Sequence, residues 1–276
     1  MKVIWFNGNF GNQIFYCAYK DYLKSKYPNE KIYAFVDPNC PPILVEERTN
    51  LKMPRQSIWV NILSFLVFKV IGVLLRRIPV KYVPKWYCGI GPIDSEATFF
   101  AHSLQRKGFY EKRSSDWLII KEPDELDGEY QKWKKLIMDG QSVCVHLRRG
   151  DYVKPGSAYV DLSSTDYYRK AMDYAKSILP DAKFFFFSDD LDYVKGVFQS
   201  DNVYYVDCNK GSNGYLDIKL MSLAKVNIMA NSTFSYWASY IDNEHKTVIY
   251  PKQWFCEWTG RKSPDIMLEK KNWICV

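Results

Sequence analysis

The chain has 276 residues, 47% of them hydrophobic and 17% aromatic, with 38 Lys and Arg against 31 Asp and Glu for a formal charge of +7. That apolar content excludes extended disorder, and the length suits two domains of the usual ~100–200 residues. The positive balance favours an anionic ligand or an acidic surface, but no single basic run stands out, so nucleic acid is not implied.

The opening residues read as a strand, Lys2–Phe6, because the apolar run is too short for a secretory signal and turns at once into a loop, Asn7-Gly8-Asn9-Phe10-Gly11-Asn12-Gln13. A helical pattern from Ile14 to about Lys26 and a second strand, Ile32–Asp37, complete the start of a βαβ unit. From Pro38 to about Lys121, prolines and the Gly89-Ile90-Gly91-Pro92 turn break the pattern into irregular connections around one long apolar stretch. That stretch, Ile58 to Leu75, precedes Arg76-Arg77 and gathers Asn61, Ser64, Lys69 and Gly72 on one stripe of a helix. At about 1.5 Å per residue it barely crosses a ~30 Å hydrocarbon layer, and a central Lys is costly there. A helix packed on its own domain is the leading reading. An interfacial membrane helix with a basic flank comes next and a true span last.

The second half alternates regularly. Strands are expected at Ser142–Leu147, Lys183–Phe187, Val203–Val206, Val226–Met229 and Thr247–Tyr250, with helices at Thr165–Leu179, Asp190–Phe198, Tyr215–Ala224 and Thr233–Ile241. This order predicts a doubly wound parallel sheet that binds its ligand beyond the carboxyl ends of the strands. The seven cysteines are odd in number and contain no C-x-x-C, which argues against a disulfide framework or a zinc site and fits a reducing compartment.

Polar residues at those strand ends are the candidates for chemistry. Arg148 and Arg149 follow His146-Leu147, and adjacent arginines there point to different sides, so one can fork onto a phosphate while the other braces the loop. Gly150 would let the backbone approach a ligand, and the bland alternative is a solvated loop with an Arg–Asp pair. After the phenylalanine strand, Ser188, Asp189 and Asp190 suit capping of the next helix, alone or with a nucleotide contact, better than the D-x-D metal reading of Asp190-Leu191-Asp192. Asn231-Ser232-Thr233-Phe234-Ser235 stands between a buried strand and a helix, where free backbone N–H groups suit pyrophosphate. Asp217 either complements a helix dipole or accepts from guanine N1–H and N2–H2. The first loop fits neither a dinucleotide fingerprint nor a P-loop, and H-E-x-x-H and G-x-S-x-G are absent.

Together, Gly11-Asn12-Gln13-Ile14-Phe15, His146-Leu147-Arg148-Arg149-Gly150-Asp151-Tyr152, and the tract from Phe185 through Asp189-Asp190 and Asp217 to Trp237 resemble the family 11 glycosyltransferases, the bacterial alpha-1,2-fucosyltransferases. Departures from the family pattern are Asn7-Gly8-Asn9-Phe10 before the first block and Tyr236 where Trp is frequent.

The resemblance implies an α/β fold of GT-B type, two Rossmann-like domains with a donor cleft between them. Residues 1–140 would form the acceptor-side domain and 141–276 the GDP-fucose-binding domain. It implies that Arg148 and Arg149 neutralise pyrophosphate, that His146 and Asp217 hold guanine, and that Ser232, Thr233, Phe234 and Ser235 with Asn231 face the phosphates. Ser188, Asp189 and Asp190 join the donor site, and Gly11, Asn12 and Gln13 lie near donor or acceptor. The implied reaction is inverting transfer of L-fucose from GDP-β-L-fucose to the 2-hydroxyl of a galactose-terminated acceptor, with Arg148 and Asp151 catalytic, Asp151 as base, and neither metal nor cofactor. The alternatives are an alpha-1,6 or alpha-1,3 transferase and a non-catalytic nucleotide-sugar or glycan-binding protein. The implied setting is cytoplasmic, with a peripheral contact at the inner face of the membrane left open.

Overall fold

The computed structural model describes residues 1–66, 86–87, 97–100 and 104–276. The expectations for Val67 to Arg77 and for the 89–92 turn lie outside the described residues. The chain forms two compact units, Met1–Arg113 and Ser114–Val276. The boundary anticipated at 140/141 therefore falls earlier, because the helix Gly128–Met138 packs under the second sheet: its Trp133 meets Phe185 edge-on at 6.2 Å.

In the first unit, strands β1 (Lys2–Phe6), β2 (Ile32–Val36), β3 (Trp86–Tyr87) and β4 (Phe99–Phe100) form a parallel sheet in the order β2-β1-β4-β3. Every residue of β1 is buried, as a strand covered on both faces requires. Helix α1 begins at Phe10, four residues before the expected start, and runs to Lys26. Gly11, Asn12 and Gln13 therefore belong to its first turn and not to a loop. Buried Gln13 fixes that turn, donating from Nε2 to the carbonyls of Gly8 (3.3 Å) and Pro42 (3.0 Å) and accepting at Oε1 from Leu44 N–H (3.1 Å). Gly8 takes φ +110°, a left-handed conformation that favours glycine.

A short helix, α2 (Val45–Arg48), leads to α3 (Ile58–Phe65) beside β2. The expected polar stripe on α3 turns inward. Ser64 is buried, Asn61 has its Oδ1 buried, and Val60 joins Val3, Trp5 and Phe35 in the core. The broad apolar face points outward, so the helix is not packed on its own domain through that face. Among the described residues no helix is long and apolar enough to cross a membrane.

The second unit holds six parallel strands, β5 (Ser142–Leu147), β6 (Lys183–Ser188), β7 (Val203–Tyr205), β8 (Val226–Ile228), β9 (Thr247–Tyr250) and β10 (Trp273–Cys275). Their spatial order is β10-β9-β8-β5-β6-β7. Numbered from β5, this is the 3-2-1-4-5-6 Rossmann order, whose direction reverses between β5 and β8. The α/β class with parallel sheets is therefore plain. Helix α4 (Gly128–Met138) covers one face, where Phe185 also stacks on Tyr204 at 5.0 Å. Helix α5 (Tyr167–Ile178) covers the other, burying Tyr167, Tyr168, Ala171, Met172 and Ala175 at helical spacing. Its tyrosines tie the helix to the strand ends: Tyr167 donates to Met229 O (2.6 Å) and Tyr168 to His146 O (3.1 Å). The remaining helices are α6 (Leu191–Val197), α7 (Leu216–Ser222) and α8 (Thr233–Tyr240).

Candidate active site

Beyond the carboxyl ends of β5 and β8, the sheet reversal opens a crevice where two parallel strands send their connections to opposite faces. His146, next to last in β5, has its ring 5.5 Å from that of Phe234, in the first turn of α8. The loop after β5 is fastened to the β8 side by Tyr152, which donates to Asn231 O at 3.0 Å. Asn231 in turn donates from Nδ2 to Val160 O and Trp254 O, both at 2.9 Å. One buried amide thus ties three loops on the rim.

The two arginines have separate duties. Arg149 is enclosed: Nε donates to Asp190 (2.9 Å), Nη1 to Ser163 Oγ (2.6 Å), and its guanidinium lies 3.6 Å from the centre of the Tyr193 ring. Arg148 pairs with Asp189 at 2.8 Å through Nη1 and with Asp151 through Nη2, leaving its Nε–H without a hydrogen-bond partner among the described residues. Asp151 therefore pairs with Arg148, not with Arg149, and stays largely open to solvent.

The paired carboxylates at the end of β6 serve the paired arginines at the end of β5. Asp189 accepts from Arg149 N–H at 2.9 Å while holding Arg148, and a Cβ on Gly150 would lie only 2.3 Å from its Oδ2. Asp190 caps α6 by accepting from Tyr193 N–H (3.2 Å). Arg149 and then that amide hold its carboxyl below the ordinary range. Ser188 Oγ accepts from Asp190 N–H at 3.0 Å. With Asp190 committed to Arg149 and the cap, the D-x-D reading loses its first ligand. Among the described residues no group of three or more His, Cys, Asp and Glu is arranged to hold a metal.

His146 is buried, with Nδ1 unpartnered among the described residues; burial, helped by Arg148, pushes its pKa down to about 3 and keeps the ring neutral. Asp217, in the first turn of α7, accepts from Asn209 Nδ2 at 2.7 Å. Burial raises its carboxyl to about 7, against which the Asn209 bond works. Ser232 caps α8 by accepting from Phe234 N–H (3.3 Å), and Ser235 donates to backbone carbonyls. Ser232, Thr233 and Phe234 remain partly exposed at the helix N-terminus.

Thus His146, Arg148, Asp151, Asp189 and residues 232–234 gather on one rim, whereas Arg149, Asp190, Asn231 and Ser235 form its scaffold. Gly11, Asn12 and Gln13 belong to the first unit. Ser163, Tyr193, Asn209 and Tyr152 were not singled out from sequence as site residues. Tyr152 ends a block already noted, but the others lie in loops or helix turns whose spacing carries no chemical signal.

A family model described as Glycosyl transferase family 11 matches residues 84–276, well over half of the chain. The chain belongs to that family. Two rim segments, 146–151 and 231–235, fall inside the matched part. The chain is 34% identical over 128 residues to the O-antigen biosynthesis glycosyltransferase WbnK of Escherichia coli, covering 45% of this chain and 42% of that protein. It is also 34% identical over 141 residues to an alpha-1,2-colitosyltransferase of Escherichia coli, covering 48% of each. The chain thus spans just under half the length of the curated relatives it matches. Among solved structures, it resembles E. coli ADP-heptose lps heptosyltransferase II at a TM-score of 0.46 and 10% identity, covering 100% of this chain and 90% of that one. Two α/β units with parallel sheets in one chain are consistent with the GT-B class, and the chain is a glycosyltransferase by family.

Proposed function

We propose that this glycosyltransferase moves L-fucose from GDP-β-L-fucose to the 2-hydroxyl of a terminal galactoside, with inversion and without a metal, in assembly of a surface glycan. The observation that carries the reading is Arg148, held by two carboxylates at the sheet reversal with N–H donors to spare, in a loop that Tyr152 fastens to Asn231 ahead of the partly exposed N-terminus of α8. Both are positive and preorganised, which suits a pyrophosphate leaving group.

In this reading the acceptor oxygen attacks the anomeric carbon as its bond to the β-phosphate breaks, and the electron pair departs with GDP. Negative charge grows on the phosphate, where Arg148 and the helix N-terminus receive it. Phosphate binding competes with Asp151 for Arg148 Nη2 and frees that carboxylate to take the proton of the acceptor hydroxyl. Asp189 keeps the guanidinium in place throughout. Ionised Asp217 accepts from the guanine edge, and the unpartnered His146 Nδ1 meets the same nucleotide. We assign the donor to the second unit and acceptor recognition to the first, with the reaction on the cytoplasmic side where nucleotide sugars are made.

A colitose donor is the second reading, favoured by the alpha-1,2-colitosyltransferase among the relatives. Linkage analysis of the product made from GDP-fucose and lactose tests the proposal. A fucosyl α-1,2-galactoside formed in EDTA supports it. Another linkage, strict dependence on added Mn²⁺, or transfer from a colitose donor alone would overturn the corresponding part. Arg148→Ala is expected to reduce transfer by about 10²–10³-fold and to weaken GDP binding while the protein remains folded.

A further inference from the structure

We propose that the outward face of α3 docks on an anionic lipid surface. This is independent of the donor chemistry. A surface helix of a soluble protein turns its apolar stripe inward and its polar stripe to water. Here Val60 and Ser64 face the sheet, while Ile58 (71% exposed), Trp59 (77%), Ile62 (50%), Leu63 (43%), Phe65 (45%) and Leu66 (48%) face out. Nine residues of chain thus present six large apolar side chains to solvent, one of them an indole suited to the water–hydrocarbon boundary.

Charge identifies the occupant. Residues 48–93, which bracket this helix, contain eight Lys and Arg, from Arg48 to Lys85, and no Asp or Glu. Subtracting them from 38 basic and 31 acidic residues leaves 30 against 31, a net charge of −1 for the rest of the chain. The whole positive balance of the protein therefore belongs to the segment that carries the exposed apolar helix. A second copy of this chain would set that charge against its like. A bilayer with anionic headgroups complements it, at about 1 kcal/mol per basic residue near the surface, and accepts apolar side chains a few ångströms below.

The test is co-sedimentation of the full chain with vesicles of phosphatidylcholine alone or with about one third phosphatidylglycerol, at low and high salt. Binding is expected to the anionic vesicles only, weakened by salt, and reduced about tenfold or more in Ile62→Ser/Leu66→Ser with the melting temperature unchanged. Should that variant misfold, brominated lipid provides an independent reading: part of the tryptophan quenching should vanish in Trp59→Phe. Failure to sediment with anionic vesicles overturns the proposal. So does equal binding of wild type and a folded double variant, quenching unchanged in Trp59→Phe, or self-association abolished by the substitutions without any vesicle binding.

Discussion

Asp189 is the residue on which the arginine loop turns. Its two oxygens hold the Arg149 amide and the Arg148 guanidinium, and its carboxylate fills the space a side chain at position 150 would need. Gly150→Ala must therefore push Asp189 away and break the Arg148 pair. It is expected to raise the donor KM about tenfold or more at a stability cost of about 1–3 kcal/mol, separable by steady-state kinetics and chemical denaturation. Asp217 gives a pH signature. A carboxyl with pKa near 7 must lose its proton to accept from guanine, so GDP affinity is expected to be full at pH 8 and to fall about tenfold per unit below 7. Calorimetric titration from pH 5.5 to 8 reads this, and Asp217→Asn should bind weakly with a flat profile. A wild-type affinity independent of pH would remove Asp217 from guanine recognition.

At the scale of elements, the rim depends on tethers between loops more than on the loops themselves. Asn231→Ala leaves the Val160 carbonyl without this donor and Trp254 O with only the Val160 N–H at 3.1 Å, at about 1–3 kcal/mol in all, and should lower the denaturation midpoint and weaken donor binding together. The strands of the second unit were legible because each central strand is buried on both faces and reads as an unbroken apolar run, as in Phe184-Phe185-Phe186-Phe187. Strand β10 was not, since Trp273-Ile274-Cys275 is short and follows a long loop without helical pattern. The start of α1 was misplaced because Gly11, Asn12 and Gln13 suggest a loop by composition, while the side-chain bonds that anchor Gln13 in the first turn reach Pro42 and Leu44, far along the chain. The arginine pair was legible as a site. Which arginine is spent as a brace was not, because Ser163 and Tyr193 approach Arg149 only through the fold.

At the scale of the whole molecule, two buried groups act on stability in opposite directions. The His146 pKa is depressed from 6.5 to about 3, so the unfolded chain binds the extra proton between those values and stability rises with pH across that window. The Asp217 pKa is raised from 3.8 to about 7, so the folded chain binds the extra proton and stability falls as pH rises between them. The two slopes oppose each other from about pH 4 to 6.5. Asp217→Asn leaves the His146 slope uncompensated, and its stability relative to wild type should climb through that range, raising the melting temperature by a few degrees at pH 8 but not at pH 4. Charge is divided just as unevenly, with the positive excess confined to residues 48–93 and the donor rim placed in the other unit. The lipid docking proposed for α3 and the donor chemistry are thereby expected to be separable by mutation.

The central claim is tested most directly by GDP release from GDP-fucose in EDTA, with and without lactose. The account predicts release that lactose stimulates and that Arg148→Ala lowers by about 10²–10³-fold. Release that is indifferent to lactose and undiminished in Arg148→Ala would contradict it.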